Sequence, residues 1–173
     1  MVACVISDRA DALALQRAKR VGVQGYCINP ADHATRADYE RALSALCETH
    51  RVRLICLAGF MRILSPAFVR RYRQKILNIH PALLPAFPGA HAVRDALAWG
   101  AKVTGVTVHF VDEQIDHGPV ILQEAIRILT RDTESALLGR LHRIEHRLYP
   151  QAIQLVLEGR AKNNGRRVII RNA

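Results

Sequence analysis

The chain has 173 residues, half of them hydrophobic, with a formal net charge of +10 and a pI near 10.2. That length and apolar content suit one domain with a real core and exclude disorder, and no apolar run reaches the roughly 18 residues of a membrane span. The charge is scattered apart from Arg70-Arg71-Tyr72-Arg73 and Arg166-Arg167, and aromatic residues make up only 5%, which argues against a nucleic-acid surface with a stacking platform.

Residues 2–7, VACVIS, form a β-rich run ending in a Ser-Asp turn. Residues 11–22 have apolar side chains at helical spacing, Lys19 and Arg20 in the last turn and Gly22 as the helix stop. A strand is expected over 25–29, a turn at Asn29-Pro30 and an amphipathic helix over 36–50. The continuous apolar run 52–60 predicts a strand buried on both faces. Ser65 and Pro66 start a helix over 65–74 as N-cap and first helical residue. Another buried strand follows at 75–80, then a helix over 92–100 closed by Gly100. Residues 103–111 alternate, with Val106, Val108 and Phe110 on one face and Thr107 and His109 on the other. A strand is expected over 118–128. Asp132 and Thr133 open a helix to about Leu148, which Pro150 interrupts before a second helical piece, and 166–173 read as a terminal strand. Strands alternating with helices predict an α/β fold, a mostly parallel sheet with helices on both faces.

The start shows neither a basic n-region nor a cleavage site, so no signal peptide is expected and the cytoplasm is the default location. Cys4, Cys27, Cys47 and Cys56 form no CxxC pair and are expected to be buried, reduced thiols. His142-Arg143-Ile144-Glu145-His146 fits an H-x-x-E-H zinc pattern. However, Leu138, Leu141, Ile144 and Leu148 already give that helix a packing face, and no metal is expected.

In LNIHPALLPAFPG, 77–89, Asn78 and His80 are two apart and share one face of a strand. Pro81 ends the ladder, because it has no N–H to donate. Open α/β sheets place ligands just past such strand ends. A side-chain amide and an imidazole held together can stabilise an oxyanion and move a proton. A lone His-Pro reads more readily as a histidine hydrogen-bonded in a core. Asp116, in the tight turn Asp116-His117-Gly118-Pro119, offers a carboxylate that could face that strand end and favour the imidazolium.

Four stretches carry a more specific signal: LAGFMRILSPAFV (57–69), NIHPALLPAFPG (78–89), GVTVHFVDEQIDHGPVILQ (105–123), and Glu145-His146 with Tyr149-Pro150. In that order they resemble the phosphoribosylglycinamide formyltransferase family, and the resemblance runs from Val2 to about Gly159. It implies a Rossmann-like formyltransferase fold in a single domain over 1–173. The nucleotide-substrate half would extend to about residue 75 and the folate and catalytic half would occupy 76–173. It also implies transfer of a formyl group from 10-formyltetrahydrofolate to the amine of glycinamide ribonucleotide, a step of purine (IMP) biosynthesis.

Carried over residue by residue, the resemblance makes Asn78 and His80 the catalytic pair and Asp116 the carboxylate that keeps His80 charged and helps order a relay water. Arg36, Met61, Arg62, Ile63 and Leu64 would contact the folate. Asp112, Glu113, Gln114, Ile115 and Asp116 would enclose its pterin head, with Asn78 beside it. His142, Arg143, Ile144 and Glu145 would touch the ribonucleotide. The implied partners are small molecules, with neither a metal nor nucleic acid nor a membrane involved; oligomeric state is left open.

The sequence departs from the family at its start. The family opens with a strand, a Gly-rich phosphate loop and a helix, whereas VACVISDRADAL aligns with the family's second strand. One strand–helix unit is therefore expected to be missing, and the sheet to carry a gap or an open edge. Either the natural protein is longer or this is a shortened relative. Ala82 stands where the family usually has Ser. Three other readings share parts of the pattern. A formyltetrahydrofolate deformylase would use water as acceptor, a methionyl-tRNA formyltransferase would need a further tRNA-binding domain, and a non-catalytic remnant would bind folate alone.

Overall fold

A computed structural model describes residues 1–171 in two compact units, Met1–Arg53 and the chain from Leu54 onward. In the first unit, β1 (Val5–Ser7) and β2 (Gly25–Cys27) pair in parallel across α1 (Leu13–Arg20). Gly22 follows that helix in the left-handed region, φ +70°, where glycine has no Cβ penalty. Asn29 opens a 3₁₀ turn, Pro30–Asp32, by accepting from the Ala31 N–H. α2 (Arg36–Thr49) begins with a reciprocal cap. Thr35 Oγ1 accepts from the Asp38 N–H at 3.2 Å, and Asp38 Oδ2 accepts from the Thr35 N–H at 3.0 Å.

The second unit runs β3 (Ile55–Leu57), α3 (Pro66–Arg71), β4 (Ile76–His80), α4 (Ala92–Trp99), β5 (Val103–Phe110), β6 (Val120–Arg127), α5 (Glu134–Leu157), β7 (Ala161–Asn164) and β8 (Arg167–Ile170). β3 to β6 form one sheet in chain order, with β3 parallel to β4 and the other neighbours antiparallel. β7 and β8 form an antiparallel hairpin. The chain is thus α/β, with its parallel pairings at β1·β2 and β3·β4. Among the described residues no ladder joins the two-stranded sheet to the four-stranded one.

Leu77, Val106, Val108 and Phe110 pack against Leu137, Leu141, Ile144 and Leu148 of α5. Each such side chain contributes roughly 1.5–3 kcal/mol on burial. This core covers one face of β4 and β5, so their other face is free to carry polar side chains.

The structure corrects several sequence expectations. The run 52–60 yields only three strand residues, with Cys56 exposed, because β3 is an edge strand hydrogen-bonded on one side to β4. Of the four thiols only Cys47 is buried; Cys27 and Cys56 are exposed. α3 is six residues long, capped by Ser65 and Pro66 as expected. Pro150 does not interrupt α5. Leu148, Tyr149, Ala152 and Leu155 are buried on both sides of it, and their packing outweighs the lost backbone bond, about 3 kcal/mol in a helix interior. The tail folds as a hairpin rather than a lone strand. Asn172 and Ala173, at its end, lie outside the described residues.

Candidate active site

β4 alternates, as a strand must. Leu77 is fully buried in the core, and Asn78 and His80 project from the opposite face. The antiparallel register with β5 sets Asn78 opposite His109 and His80 opposite Thr107, so four polar side chains share one patch. Thr107 is 0% exposed and fully satisfied. Its hydroxyl donates to Ala82 O at 2.6 Å and accepts from the Leu84 N–H at 3.1 Å and from Gln123 Nε2 at 2.8 Å. Gln123 also donates to Leu84 O at 2.9 Å. These bonds pin the proline-rich loop after Pro81, and that loop brings Phe87 O to 2.8 Å from His80 Nε2. The carbonyl can only accept, so this nitrogen carries the proton.

Asp116 reaches the same patch from the loop between β5 and β6. Its backbone is in the left-handed region, φ +48°, which aspartate tolerates better than most residues. Oδ2 accepts from the Gly89 N–H at 2.7 Å and lies 3.4 Å from His80 Nδ1. Oδ1 accepts from Asn78 Nδ2 at 3.4 Å and lies 3.7 Å from His109 Nε2. Both nitrogens of His80 therefore face acceptors. Sequence reasoning brought Asn78, His80 and Asp116 together by resemblance, and in the structure they are in contact.

His109 shares with Thr107 the face of β5 that alternation makes polar. It is 2% exposed. Nδ1 donates to Phe110 O at 2.8 Å, and Nε2, 3.3 Å from Asn78 Nδ2, accepts from that amide. Burial lowers its pKa below the ordinary 6.5, against the opposing pull of Phe110 O and Asp116. A depressed histidine stabilises the fold fully above the unfolded-state pKa and loses that contribution as pH falls below it. The melting temperature should therefore drop as pH falls below about 6.5. His109→Gln, which does not titrate, should flatten part of that drop in a thermal melt series; an unchanged pH profile would exclude a buried neutral His109.

A cavity of about 370 Å³ opens beside this patch and is lined by 61–64, 78–81, 89–90 and 111–116 together with Leu57, His109 and neighbours. Ten of the eleven expected folate residues line it. The eleventh, Arg36, is the first residue of α2 in the other unit. His142, Arg143, Ile144 and Glu145 lie on α5, outside that lining. Ile144 is in the core, while Glu145 is half-buried, with His142 Nε2 3.8 Å from its Oε2. Burial raises the Glu145 pKa, and His142, His146 and His80 pull it back down. Tyr149 Oη, from the same helix, lies 2.8 Å from Leu57 O and 3.0 Å from Leu77 O, tying the last residue of β3 to β4 beside the cavity-lining Leu57. No group of three or more metal-ligating side chains occurs among the described residues, and no helix among them is long and apolar enough to cross a membrane.

The formyl transferase family matches residues 1–153. The phosphoribosylglycinamide formyltransferase of Bacillus subtilis is 41% identical over 155 residues, 90% of this chain and 80% of that protein. The trifunctional purine biosynthetic protein adenosine-3 of Drosophila melanogaster is 46% identical over 92% of this chain, which spans only 12% of that longer protein. The crystal structure of glycinamide ribonucleotide transformylase 1 from Symbiobacterium toebii superposes with a TM-score of 0.96 at 48% identity, covering 99% of this chain and 81% of that one. A formyltetrahydrofolate deformylase structure from Pseudomonas syringae gives 0.89 at 27% identity, covering 99% of this chain and 56% of that one. The chain belongs to the formyl transferase family, among the phosphoribosylglycinamide formyltransferases.

Proposed function

We propose that this chain transfers a formyl group from 10-formyltetrahydrofolate to the amine of glycinamide ribonucleotide, in the cytoplasm and as a step of purine biosynthesis. The observation that carries the reading is the Asp116 carboxylate, which bridges Asn78 and His80 at the rim of a cavity of folate-loop residues. The amine attacks the formyl carbon and a tetrahedral oxyanion forms. Asn78 Nδ2–H and the protonated His80 ring are the donors available to it. Phe87 O holds the His80 Nε2 proton in the free protein, and the oxyanion competes with that carbonyl for it. Asp116 compensates the ring's charge and, through a water, accepts the proton that the amine loses. The carbon–N10 bond then breaks, the proton taken up by Asp116 passes through the same water to N10, and neutral tetrahydrofolate leaves. The cavity segments 61–64 and 112–116 take the folate, while His142, Arg143 and Glu145 of α5 touch the ribonucleotide. In this reading 76–173 is the folate and catalytic half of a single domain, and no metal takes part.

The test is product analysis after incubating the purified chain with both substrates. Formylated glycinamide ribonucleotide is the expected product. Free formate released at the same rate with and without the ribonucleotide would make the chain a deformylase, and folate binding without either product would make it a non-catalytic folate binder.

A further inference from the structure

The loop that carries Asp116 leaves β5 at Phe110 and enters β6 at Val120. It holds a non-glycine residue in the left-handed region, a conformation that persists only when its surroundings over-determine it. From the inside, the Gly89 N–H binds the Asp116 carboxylate. From the outside, two arginines from elements on either side reach the same loop. Arg70, near the end of α3, places Nη1 3.2 Å from both carboxylate oxygens of Glu113. Arg166, at the turn of the β7–β8 hairpin, donates through Nη1 to the carbonyl of His117, the residue next to Asp116. Within the loop, His117 Nδ1 lies 2.7 Å from Asp112 Oδ2, and Asp112 Oδ1 accepts from the Gln114 N–H at 3.0 Å. Arg166 Nη1 also approaches His117 Nδ1 at 3.4 Å. An arginine can only donate, so the shorter contact fixes the Nδ1 proton toward Asp112 and leaves the carbonyl as the arginine's acceptor.

We infer that Arg70 and Arg166 are positioning residues. Together they clasp the 112–117 loop in the conformation that turns Asp116 toward Asn78 and His80. Neither touches the reacting groups: Arg70 acts through the Glu113 side chain and Arg166 through the His117 carbonyl. Each comes from one of the two basic runs of the sequence, Arg70 to Arg73 and Arg166-Arg167. What the loop does for the reaction rests on the function proposed above, but the clasp itself does not. Exposed pairs of this kind are individually weak and screened by salt, so each arginine is expected to shift the loop equilibrium by about two- to five-fold, and the two shifts to multiply if they are independent.

The experiment compares the wild-type chain with Arg70→Ala, Arg166→Ala, the double variant and Arg70→Lys by amide hydrogen exchange and by calorimetric titration with folate. Exchange at 113–117 should quicken in each alanine variant and most in the double variant, while β4 and β5 stay protected. The folate Kd should rise by the same factors. High salt should quicken exchange of this loop in the wild type but hardly in the double variant, and Arg70→Lys should stay near wild type. Unchanged loop exchange, or an increase spread through the whole sheet, would overturn the clasp. Faster loop exchange with an unchanged folate Kd would overturn its positioning role. The exchange arm needs no ligand, so a wild-type chain that binds no folate would refute the proposed function while the clasp is still decided.

Discussion

Asp116→Asn should lower kcat/KM for formyl transfer by about 10²–10³-fold, the scale of losing one preorganised electrostatic group at a developing charge, while leaving the fold intact. The carboxylate is acceptor-only, and three N–H-bearing groups converge on it. The Gly89 N–H donates to Oδ2 at 2.7 Å, Asn78 Nδ2 donates to Oδ1 at 3.4 Å, and His80 Nδ1 stands 3.4 Å from Oδ2. An asparagine has one acceptor end. Turned one way, its NH₂ meets the Gly89 N–H and the His80 ring; turned the other, it meets the amide of Asn78. Either orientation leaves a donor facing a donor, at about 1–3 kcal/mol for each buried group left unsatisfied. It also removes the negative charge opposite the His80 ring. The side chain lies on a loop at the cavity rim, so the core of β4, β5 and α5 is untouched and the fold should stay intact, with the melting temperature lowered only by what those unsatisfied groups cost. Steady-state kinetics beside a thermal melt would check this. A variant with wild-type kcat/KM would remove Asp116 from the chemistry.

The parts of this site that were legible in the sequence are those fixed by local geometry. The two-residue spacing of Asn78 and His80 puts both on one strand face whatever the tertiary fold, and Pro81 marks the strand end. The alternation of Val106, Val108 and Phe110 with Thr107 and His109 separates core from polar face in the same way. What no local pattern carries is register. His109 meets Asn78 because β5 pairs antiparallel to β4 with those two residues opposed, and nothing within either strand specifies that offset. Asp116 is 38 residues from Asn78; its tight turn suggested only that a carboxylate could face the strand end, and the resemblance made it the partner of His80. The Phe87 carbonyl that holds His80 has no side-chain signature at all.

The fold shows the same division. Caps were readable because they are local, as Ser65 and Pro66 show. The run 52–60 was misjudged because hydrophobicity reports the apolar character of a strand but not how many neighbours it has, and β3 has one. Pro150 was misjudged because the rule for proline is local, whereas the packing of Leu148, Tyr149, Ala152 and Leu155 that holds α5 together is not.

Gly118→Ala should cost about 10²-fold in kcat/KM and lower stability, although it adds a single methyl group two residues away from Asp116. A Cβ at Gly118 would stand 1.8 Å from Phe110 O, 2.8 Å from Phe110 C and 3.2 Å from the Asp112 N. All three are backbone atoms, so no side chain can swing aside. Relief to at least 3.0 Å, the closest that real Cβ atoms come, moves the loop relative to β5 by more than 1 Å. It also strains the bond from the Phe110 N–H to Pro119 O, 2.9 Å long. A displacement of about 1 Å at a catalytic group is enough for roughly 10²-fold in rate, and overpacking of this kind typically costs about 1–3 kcal/mol of stability. Gly139→Ala is the matched control. It lies in α5, where an added Cβ meets nothing within 4 Å, and should stabilise by about 0.5–1 kcal/mol through helix propensity. Because it leaves the loop alone, kcat/KM should stay at the wild-type value. If Gly118→Ala kept full activity while losing stability, the placement of the 112–117 loop would not be what sets the rate, and Asp116 would have to act from more than one position.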